Sequence, residues 1–144
     1  MWCSTSIVQC FYAPPHSTTL IEQPEAHLHP SAQSALADLF IEAVQSVDYV
    51  WGERHLQLII ESHSEHFLRR LQRRIAEEKI RPEEVAIYVC EATPDGSVLK
   101  PLEIDEYGNI NNWPANFFGD ETGDLVAMTE AAIKRQTDAI VNSA

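Results

Sequence analysis

The chain has 144 residues, a length suited to one domain, and its 44% hydrophobic residues are enough to bury a core. Its 22 Asp and Glu outnumber 10 Lys and Arg, and the net charge of −12 excludes a general binder of phosphate backbones. Three cysteines (Cys3, Cys10, Cys90) are too few for a disulfide framework, and the sequence has neither an apolar run of membrane-spanning length nor a basic signal segment. We therefore expect an acidic, soluble, cytoplasmic α/β domain.

The first elements in chain order are an apolar segment and a buried strand. Residues 1–13 are mostly apolar and fit either a helix or a strand, because so short a run does not reveal its period. Residues 17–22 are β-branched and apolar until they close on Glu22, which predicts a buried strand. A turn through residues 23–29 leads to the next element.

Two helices and a second strand follow. Helical spacing of apolar residues predicts a helix that begins at Ser31 as N-cap, runs to about Val47–Trp51 and ends by Gly52. Residues 55–61 predict a second buried strand. The next helix should begin after Ser64 as N-cap and end before Pro82. We expect its apolar residues to face inward and its four arginines to face outward: Phe67, Leu68, Leu71, Ile75, and Arg69, Arg70, Arg73, Arg74.

The rest of the chain predicts a third strand, a hairpin and a last helix. Residues 84–91 alternate as a strand in which Cys90 is expected to be a small core residue. The turn at residues 94–96 predicts a hairpin partner over 98–102. A turn-rich loop over 105–116 precedes a helix over 124–141, and the aromatic residues of this region (Trp113, Phe117, Phe118) are expected to pin the loop onto the domain. Right-handed crossovers would make the first three strands parallel neighbours.

Polar residues follow the first two predicted strands directly. Glu22, Gln23 and Glu25 come after the first strand, and Ser62 and His63 come after the second. In an open parallel sheet, ligands bind beyond the carboxyl ends of the strands. If these two strands are adjacent, acids and a histidine face each other across one crevice.

Both strand ends also resemble motifs of a known family. Residues 19–30 (Thr-Leu-Ile-Glu-Gln-Pro-Glu-Ala-His-Leu-His-Pro) resemble the Walker B motif and D-loop of ABC-type ATPase heads of the SMC, RecF and OLD-like branch. Residues 58–64 (Leu-Ile-Ile-Glu-Ser-His-Ser) resemble the switch motif of the same heads. Residues 82–88 and 112–118 are similar to a C-terminal domain of unknown function in bacterial AAA/OLD-like ATPases. The two motifs occur in the family's order, about 40 residues apart.

The resemblance implies a role for each matching residue. Glu22 takes the place of the Walker B acid, usually Asp, which orients Mg²⁺ through water. Gln23 takes the place of the catalytic glutamate; an amide can position the attacking water but accepts no proton as a carboxylate does, unless Glu25 reaches that water. His63 takes the place of the switch histidine that contacts the γ-phosphate, with Ser62 beside it at the nucleotide.

The sequence contains no phosphate-binding loop of the form G-x-x-x-x-G-K-[ST]. The resemblance therefore implies an α/β fold that is the C-terminal half of a P-loop NTPase, with parallel strands flanked by helices, then a hairpin and a C-terminal helix. Residues 1–144 are expected to form one partial ATPase domain, with a family-specific extension over 84–144. It would bind ATP and Mg²⁺ only when completed by the missing N-terminal half or a second head, as a homo- or heterodimer, with no turnover alone and no contact with nucleic acid or membrane.

Other interpretations remain open from the residues. Gln23 and the missing phosphate loop also fit a non-catalytic interaction or regulatory module derived from an ATPase. A metal-dependent hydrolase holding Zn²⁺ or Mn²⁺ is a third interpretation, because imidazole and carboxylate ligands suit these ions. Its candidate ligands are Glu25, His27, His29, His63 and His66, with the last two expected on one helix face. The four arginines of the second helix could contact nucleic acid, although such a run is usually a solvated helix face.

Overall fold

A computed structural model of the chain describes residues 3–48, 52–114, 117, 119 and 121–142. Trp51 and Phe118, named in the predictions above, lie outside these residues. The chain divides into two units, Met1–Asn112 and Trp113–Ala144. The first unit contains α1 (Cys3–Tyr12), β1 (Thr18–Glu22), α2 (Pro30–Gln45), β2 (Val47–Asp48), β3 (Gly52–Glu53), β4 (Gln57–Glu61), α3 (Glu65–Ala76), a 3₁₀ turn (Pro82–Glu84), β5 (Ile87–Thr93) and β6 (Gly96–Leu102). The second contains α4 (Glu121–Asn142).

The strands pair in separate two-stranded sheets. β1 and β4 run parallel, with Leu20 opposite Ile59 and Glu22 opposite Glu61, which confirms that the first two predicted strands are parallel neighbours. β5 pairs only with β6, antiparallel, among the described residues, so the expectation of three parallel neighbours is wrong. The reason is local: the two-residue turn between Thr93 and Gly96 folds the third predicted strand back on the next segment.

One face of the β1–β4 sheet covers the larger core cluster. Side chains alternate along each strand, so Ile21 points inward while its neighbours Leu20 and Glu22 are exposed. Rings of Phe40 and Phe67 meet edge to face, 6.0 Å apart, and join α2 to α3. The buried residues of this cluster come from α1, β1 and α2: Cys10, Ile21, Leu36, Phe40 and Ala43.

Helix α2 starts and ends earlier than its sequence pattern predicts. Its N-cap is His29 rather than Ser31, because the His29 ring nitrogen Nδ1 accepts from the Ser31 backbone N–H and Pro30 occupies the first helical position. The helix ends at Gln45 because Ser46 turns extended and its hydroxyl donates to the Ala43 carbonyl at 2.7 Å. The predicted continuation toward Trp51 is therefore wrong, and the short antiparallel pair β2–β3 lies there instead.

Helix α3 begins as predicted. Ser64 is its N-cap, and the Ser64 hydroxyl accepts from the Phe67 backbone N–H at 3.1 Å. The expectation that all four arginines face outward is wrong for Arg70 and Arg74, which donate to the Asp38 carboxylate on α2 at 2.6–2.9 Å. The Arg74 guanidinium, then Arg70, lowers the pKa of Asp38 below its ordinary value. These ion pairs join the two helices beside their apolar contact.

The loop after β6 docks on α3 and requires a glycine. The Gln72 side chain donates to the Gly108 carbonyl at 2.7 Å. Gly108 has φ +77°, and a Cβ placed there would lie 2.2 Å from the Gln72 backbone oxygen. This close approach places the loop beside a second apolar cluster, formed by Ile41, Ile75 and Ile80 with Leu71, Val85 and Ile104 around it.

The β5–β6 hairpin leaves one of its faces open. The predicted alternation is confirmed, with Ile87 and Val89 half-buried and Tyr88 exposed. The expectation that Cys90 is a core residue is wrong, since this thiol is exposed opposite the exposed Leu99. Alternation fixes which side chains share a face, but it does not reveal which face another element covers.

In the second unit, α4 confirms the predicted last helix and exposes much of its apolar stripe. Leu125, Met128 and Ile133 each have more than half of their surface exposed, with 59%, 63% and 58% respectively. The Trp113 and Phe117 rings lie 5.2 Å apart within this unit. No helix within the described parts of the chain combines the length and apolar character needed to cross a membrane.

Candidate functional site

The candidate site lies at the carboxyl end of the β1–β4 sheet. Glu22 and Glu61 are opposite each other in the parallel register, and both side chains belong to the exposed face of the sheet. Because carboxyl ends of parallel strands share one edge, the residues after each strand meet there. The sequence prediction that the two polar segments face each other is borne out by this register.

The first loop, residues 23–29, turns away sharply from β1. The Gln23 backbone N–H donates to the Glu61 carbonyl at 2.9 Å, which extends the pairing of the strands by one bond. Gln23 and His27 both have positive φ, 45° and 67°, a conformation that costs a non-glycine residue free energy. Backbone bonds from Ala26 to Gln23 and from Leu28 to Glu25 close the turns. Gln23 is left exposed beside Glu22.

Glu25 points into the protein. Only 8% of its surface is exposed, and its Oε1 accepts from the His63 backbone N–H at 2.6 Å. Its other oxygen, Oε2, is buried and has no hydrogen-bond partner among the described residues. The predicted reach of Glu25 toward an attacking water differs from this placement, in which the carboxylate faces the backbone of the second loop, residues 62–64.

A second set of hydrogen bonds holds the two loops together. The Ser64 hydroxyl donates to Gln33 Oε1 at 2.7 Å, and Gln33 Nε2 donates to the Leu28 carbonyl at 3.0 Å. Ser62 is half-buried, and its hydroxyl accepts from the Ser64 backbone N–H at 3.2 Å. Gln33 was missed by sequence reasoning, because a glutamine in the first turns of a helix carries no signal of a partner 31 residues away.

His63 projects from the second loop into solvent. Its side chain is 76% exposed, and its Nε2 lies 3.5 Å from Glu61 Oε1. The backbone of His63 is held by Glu25, while its ring is free to meet a ligand above the strand ends. The expectation that His63 and His66 share a helix face is wrong, because α3 begins only at Glu65.

The carboxylates at this edge suit a hydrated hard cation rather than a three-ligand metal centre. The Glu22 side chain is exposed and has no hydrogen bond or ion pair with another described residue, so its oxygens are available to Mg²⁺ or its water shell. Within residues 3–48 and 52–114 and the described part of the second unit, no three His, Cys, Asp or Glu side chains gather closely enough to hold an ion. His29, one of the predicted Zn²⁺ or Mn²⁺ ligands, is instead engaged in capping α2.

Two open cavities, of about 620 and 610 Å³, lie away from this edge. The first is bordered by Phe11, Asp38 and Arg74, and the second by Glu83, Ile104 and Tyr107. Neither is lined by Glu22, Gln23, Glu25 or His63. These two cavities are therefore separate from the candidate site.

Two stretches of the sequence match known protein families. Residues 2–68 match the family described as AAA ATPase domain, a stretch that contains both loops of the candidate site. Residues 80–128 match the family described as Protein of unknown function (DUF3696). No curated protein and no solved structure matches the chain. An AAA ATPase domain implies the use of nucleotide and Mg²⁺ in general, and the α/β fold with its parallel pair of strands is consistent with part of such a domain. The two matches together support an AAA-type ATPase family for this chain.

Proposed function

We propose that this chain supplies the Walker B and switch-histidine edge of an ATP site in an ABC-type head of the SMC, RecF and OLD-like branch. The observation that carries the proposal is the parallel register of β1 and β4, which sets Glu22 and Glu61 side by side, with the two loops hydrogen-bonded beyond them. The match to an AAA ATPase domain over residues 2–68 also supports a role in an ATPase. In this proposal ATP is the nucleotide and Mg²⁺ its cation.

Each residue at the edge has a role that its position suits. Glu22 has a free, exposed carboxylate at the strand end, where it can bind the water shell of Mg²⁺. Gln23 is exposed next to it and can orient a water through its amide. His63 presents a solvent-exposed imidazole that can donate to a phosphate oxygen, and Ser62 lies in the same loop. Bound Mg²⁺ would supply charge neutralisation for the phosphates.

The uncovered face of the β1–β4 sheet supports a partner that completes the domain. Parallel sheets normally have both faces covered. Here Leu20 and Ile59 lie opposite each other on one face with 75% and 50% of their surfaces exposed. The sequence contains no phosphate-binding loop, so we propose that the partner brings both the covering elements and that loop. A second head or the N-terminal half of a head would provide them, and the chain alone would not hydrolyse ATP.

Gln23 favours one alternative function. A neutral amide at this position fits a regulatory module that binds nucleotide or a partner without turnover. The third interpretation, a Zn²⁺ or Mn²⁺ hydrolase, loses support because its predicted ligands do not gather among the described residues.

The proposal is tested by mapping where a divalent cation binds. Mn²⁺ replaces Mg²⁺ at oxygen sites and broadens nearby amide signals in ¹H–¹⁵N spectra of the intact chain. We expect broadening centred on Glu22, Gln23 and His63, and we expect it to be lost in Glu22→Gln. Glu42→Gln, which removes an exposed acid from α2, is the matched control and should leave the pattern unchanged.

Two outcomes contradict the proposal. Broadening that survives Glu22→Gln, or that spreads evenly over the acidic surface, would mean that the strand ends do not form a cation site. Clear Mg²⁺-dependent ATP hydrolysis by the isolated chain, abolished in His63→Ala, would overturn the idea that the site needs a partner.

A further inference from the structure

Glu25 is the most unusual polar residue of the site, because a buried acid is rare unless it is fully paired. It is more than nine-tenths buried, yet only one of its two oxygens has a hydrogen-bond partner among the described residues. The sequence motif left open that Glu25 reaches the reacting water. Its geometry assigns it a different task.

The paired oxygen joins the two loops at a single point. Glu25 Oε1 accepts from the His63 backbone N–H at 2.6 Å, across 38 residues of sequence. A hydrogen bond from a backbone N–H to a carboxylate is short and about twice as strong as one between neutral groups. It fixes the backbone of the one residue in the second loop whose ring is exposed toward the strand ends.

The unpaired oxygen, Oε2, reduces the stability that this contact contributes. Burying a polar oxygen without a donor costs free energy, so Oε2 offsets part of what Oε1 contributes. The contact between Glu25 and His63 is here called the loop junction. Its hydrogen bond is short, but its net contribution to the stability of the fold is modest. Opening the first loop would hydrate Oε2 and release the His63 backbone together.

We infer that Glu25 is a positioning residue: through the loop junction, the conformation of the first loop sets the place of the His63 imidazole. What His63 does once it is placed rests on the proposed function. The loop junction itself does not rest on the proposed function, since it is defined by contacts within this chain. Gln33 also connects the loops, since it accepts from the Ser64 hydroxyl and donates to the Leu28 carbonyl. Neither of these bonds involves the His63 backbone.

Hydrogen exchange of the His63 amide in the full chain tests the inference. In Glu25→Ala the acceptor is lost, and we expect exchange at least about tenfold faster, with an upfield shift of the His63 amide proton. Glu25→Gln keeps an acceptor oxygen of the same length, so it should retain most of the protection and the shift. Glu25→Asp keeps the charge but is one methylene shorter, so it should resemble Ala. If the alanine variant fails to fold, the comparison of Glu25→Gln with Glu25→Asp tests the inference.

Two controls separate this role from a general structural one. The Phe40 amide, in the core of α2, reports global opening and should change much less than His63 in the same samples. Gln33→Ala removes the other tie and should leave the His63 amide shift in place. Equal acceleration at His63 and Phe40, or equal behaviour of Gln and Ala at position 25, would overturn the inference.

The result is independent of the cation test. If His63 responds to Glu25 as expected but Mn²⁺ does not localise at Glu22, the loop junction stands and the proposed function falls. If Mn²⁺ localises at Glu22 while His63 exchange ignores Glu25, the proposed function stands and the positioning role is wrong.

Discussion

Polar and charged side chains lie at both ends of the β1–β4 sheet, but they differ in how many hydrogen bonds they make within the fold. At the amino end, the Thr18 hydroxyl donates to Gln57 Oε1 at 2.9 Å, and the His16 and His55 rings stack 5.1 Å apart. Arg54, only 6% exposed, donates to three neutral acceptors there: the carbonyls of Cys10 and Ala13 and the Ser46 hydroxyl. Polar groups at this end are used to hold elements together.

At the carboxyl end, polar groups are left available. Within the described residues, the Glu22 carboxylate has no hydrogen bond or ion pair, and one buried oxygen of Glu25 has no partner. The His63 side chain is exposed. Structural polar groups are normally satisfied within the fold, whereas groups that await a ligand are not. The contrast within one small sheet therefore supports the proposed site at the carboxyl end without reference to any motif.

The largest effect on stability is expected at the amino end. Arg54→Met keeps most of the side-chain volume but removes the donor to three acceptors, the carbonyls of Cys10 and Ala13 and the Ser46 hydroxyl. We expect a loss of about 3 kcal/mol in the free energy of unfolding, because each orphaned buried group costs about 1–3 kcal/mol. Urea denaturation followed by circular dichroism measures it. Arg69→Met, which changes an arginine that is 55% exposed, is the control, and equal losses in both variants would refute the contrast.

A smaller, pH-dependent effect is expected between the two ends, at Asp38. Its folded pKa is lowered, chiefly by Arg74, so its ion pairs stabilise the fold above the ordinary value of 3.8 and are lost as the pH falls through the folded pKa. Asp38→Asn should therefore reduce stability at neutral pH and flatten its decline below about pH 4. The loss should be well below that of Arg54→Met, because a third of this carboxylate is exposed and screened by solvent.

Denaturation midpoints measured from pH 7 to pH 3 test this prediction. Glu84 and Asp105 also have lowered pKa values, but they share no partner with Asp38, so their contribution cancels in the comparison. Glu42→Gln on the same helix serves as the control. Parallel stability curves for wild type and Asp38→Asn would show that the ion pairs contribute nothing.

The smallest effect on stability is expected at the carboxyl end. His63→Ala removes a ring that is 76% exposed and lies 3.5 Å from Glu61, so the free energy of unfolding should change by less than about 0.5 kcal/mol. A clear loss of stability in the same urea measurement would make His63 a structural residue and remove the contrast between the ends.

Local signals in the sequence explain which features could be predicted. The two parallel strands and the start of α3 follow from hydrophobic runs and from Ser64 as a cap, and both are confirmed. The meeting of the two polar segments follows from the rule that parallel strands share a carboxyl edge. These features need only neighbours in the chain and one topological rule.

The remaining features depend on contacts that no local pattern encodes. Arg54 donates to carbonyls more than 40 residues away, and the inward-pointing Glu25 accepts from the backbone N–H of His63 in another loop. The exposure of Cys90 depends on which face of the hairpin is covered. Each needs the position of a distant element, so sequence periodicity predicted the strand but not its surroundings.

The open face that carries Leu20 and Ile59 also affects how copies of the chain behave toward one another. Exposed apolar strips and unpaired strand edges promote self-association. The net charge of −12 opposes it, because copies with the same charge repel each other over about 10 Å at moderate salt. The acidic composition thus opposes self-association through this exposed face.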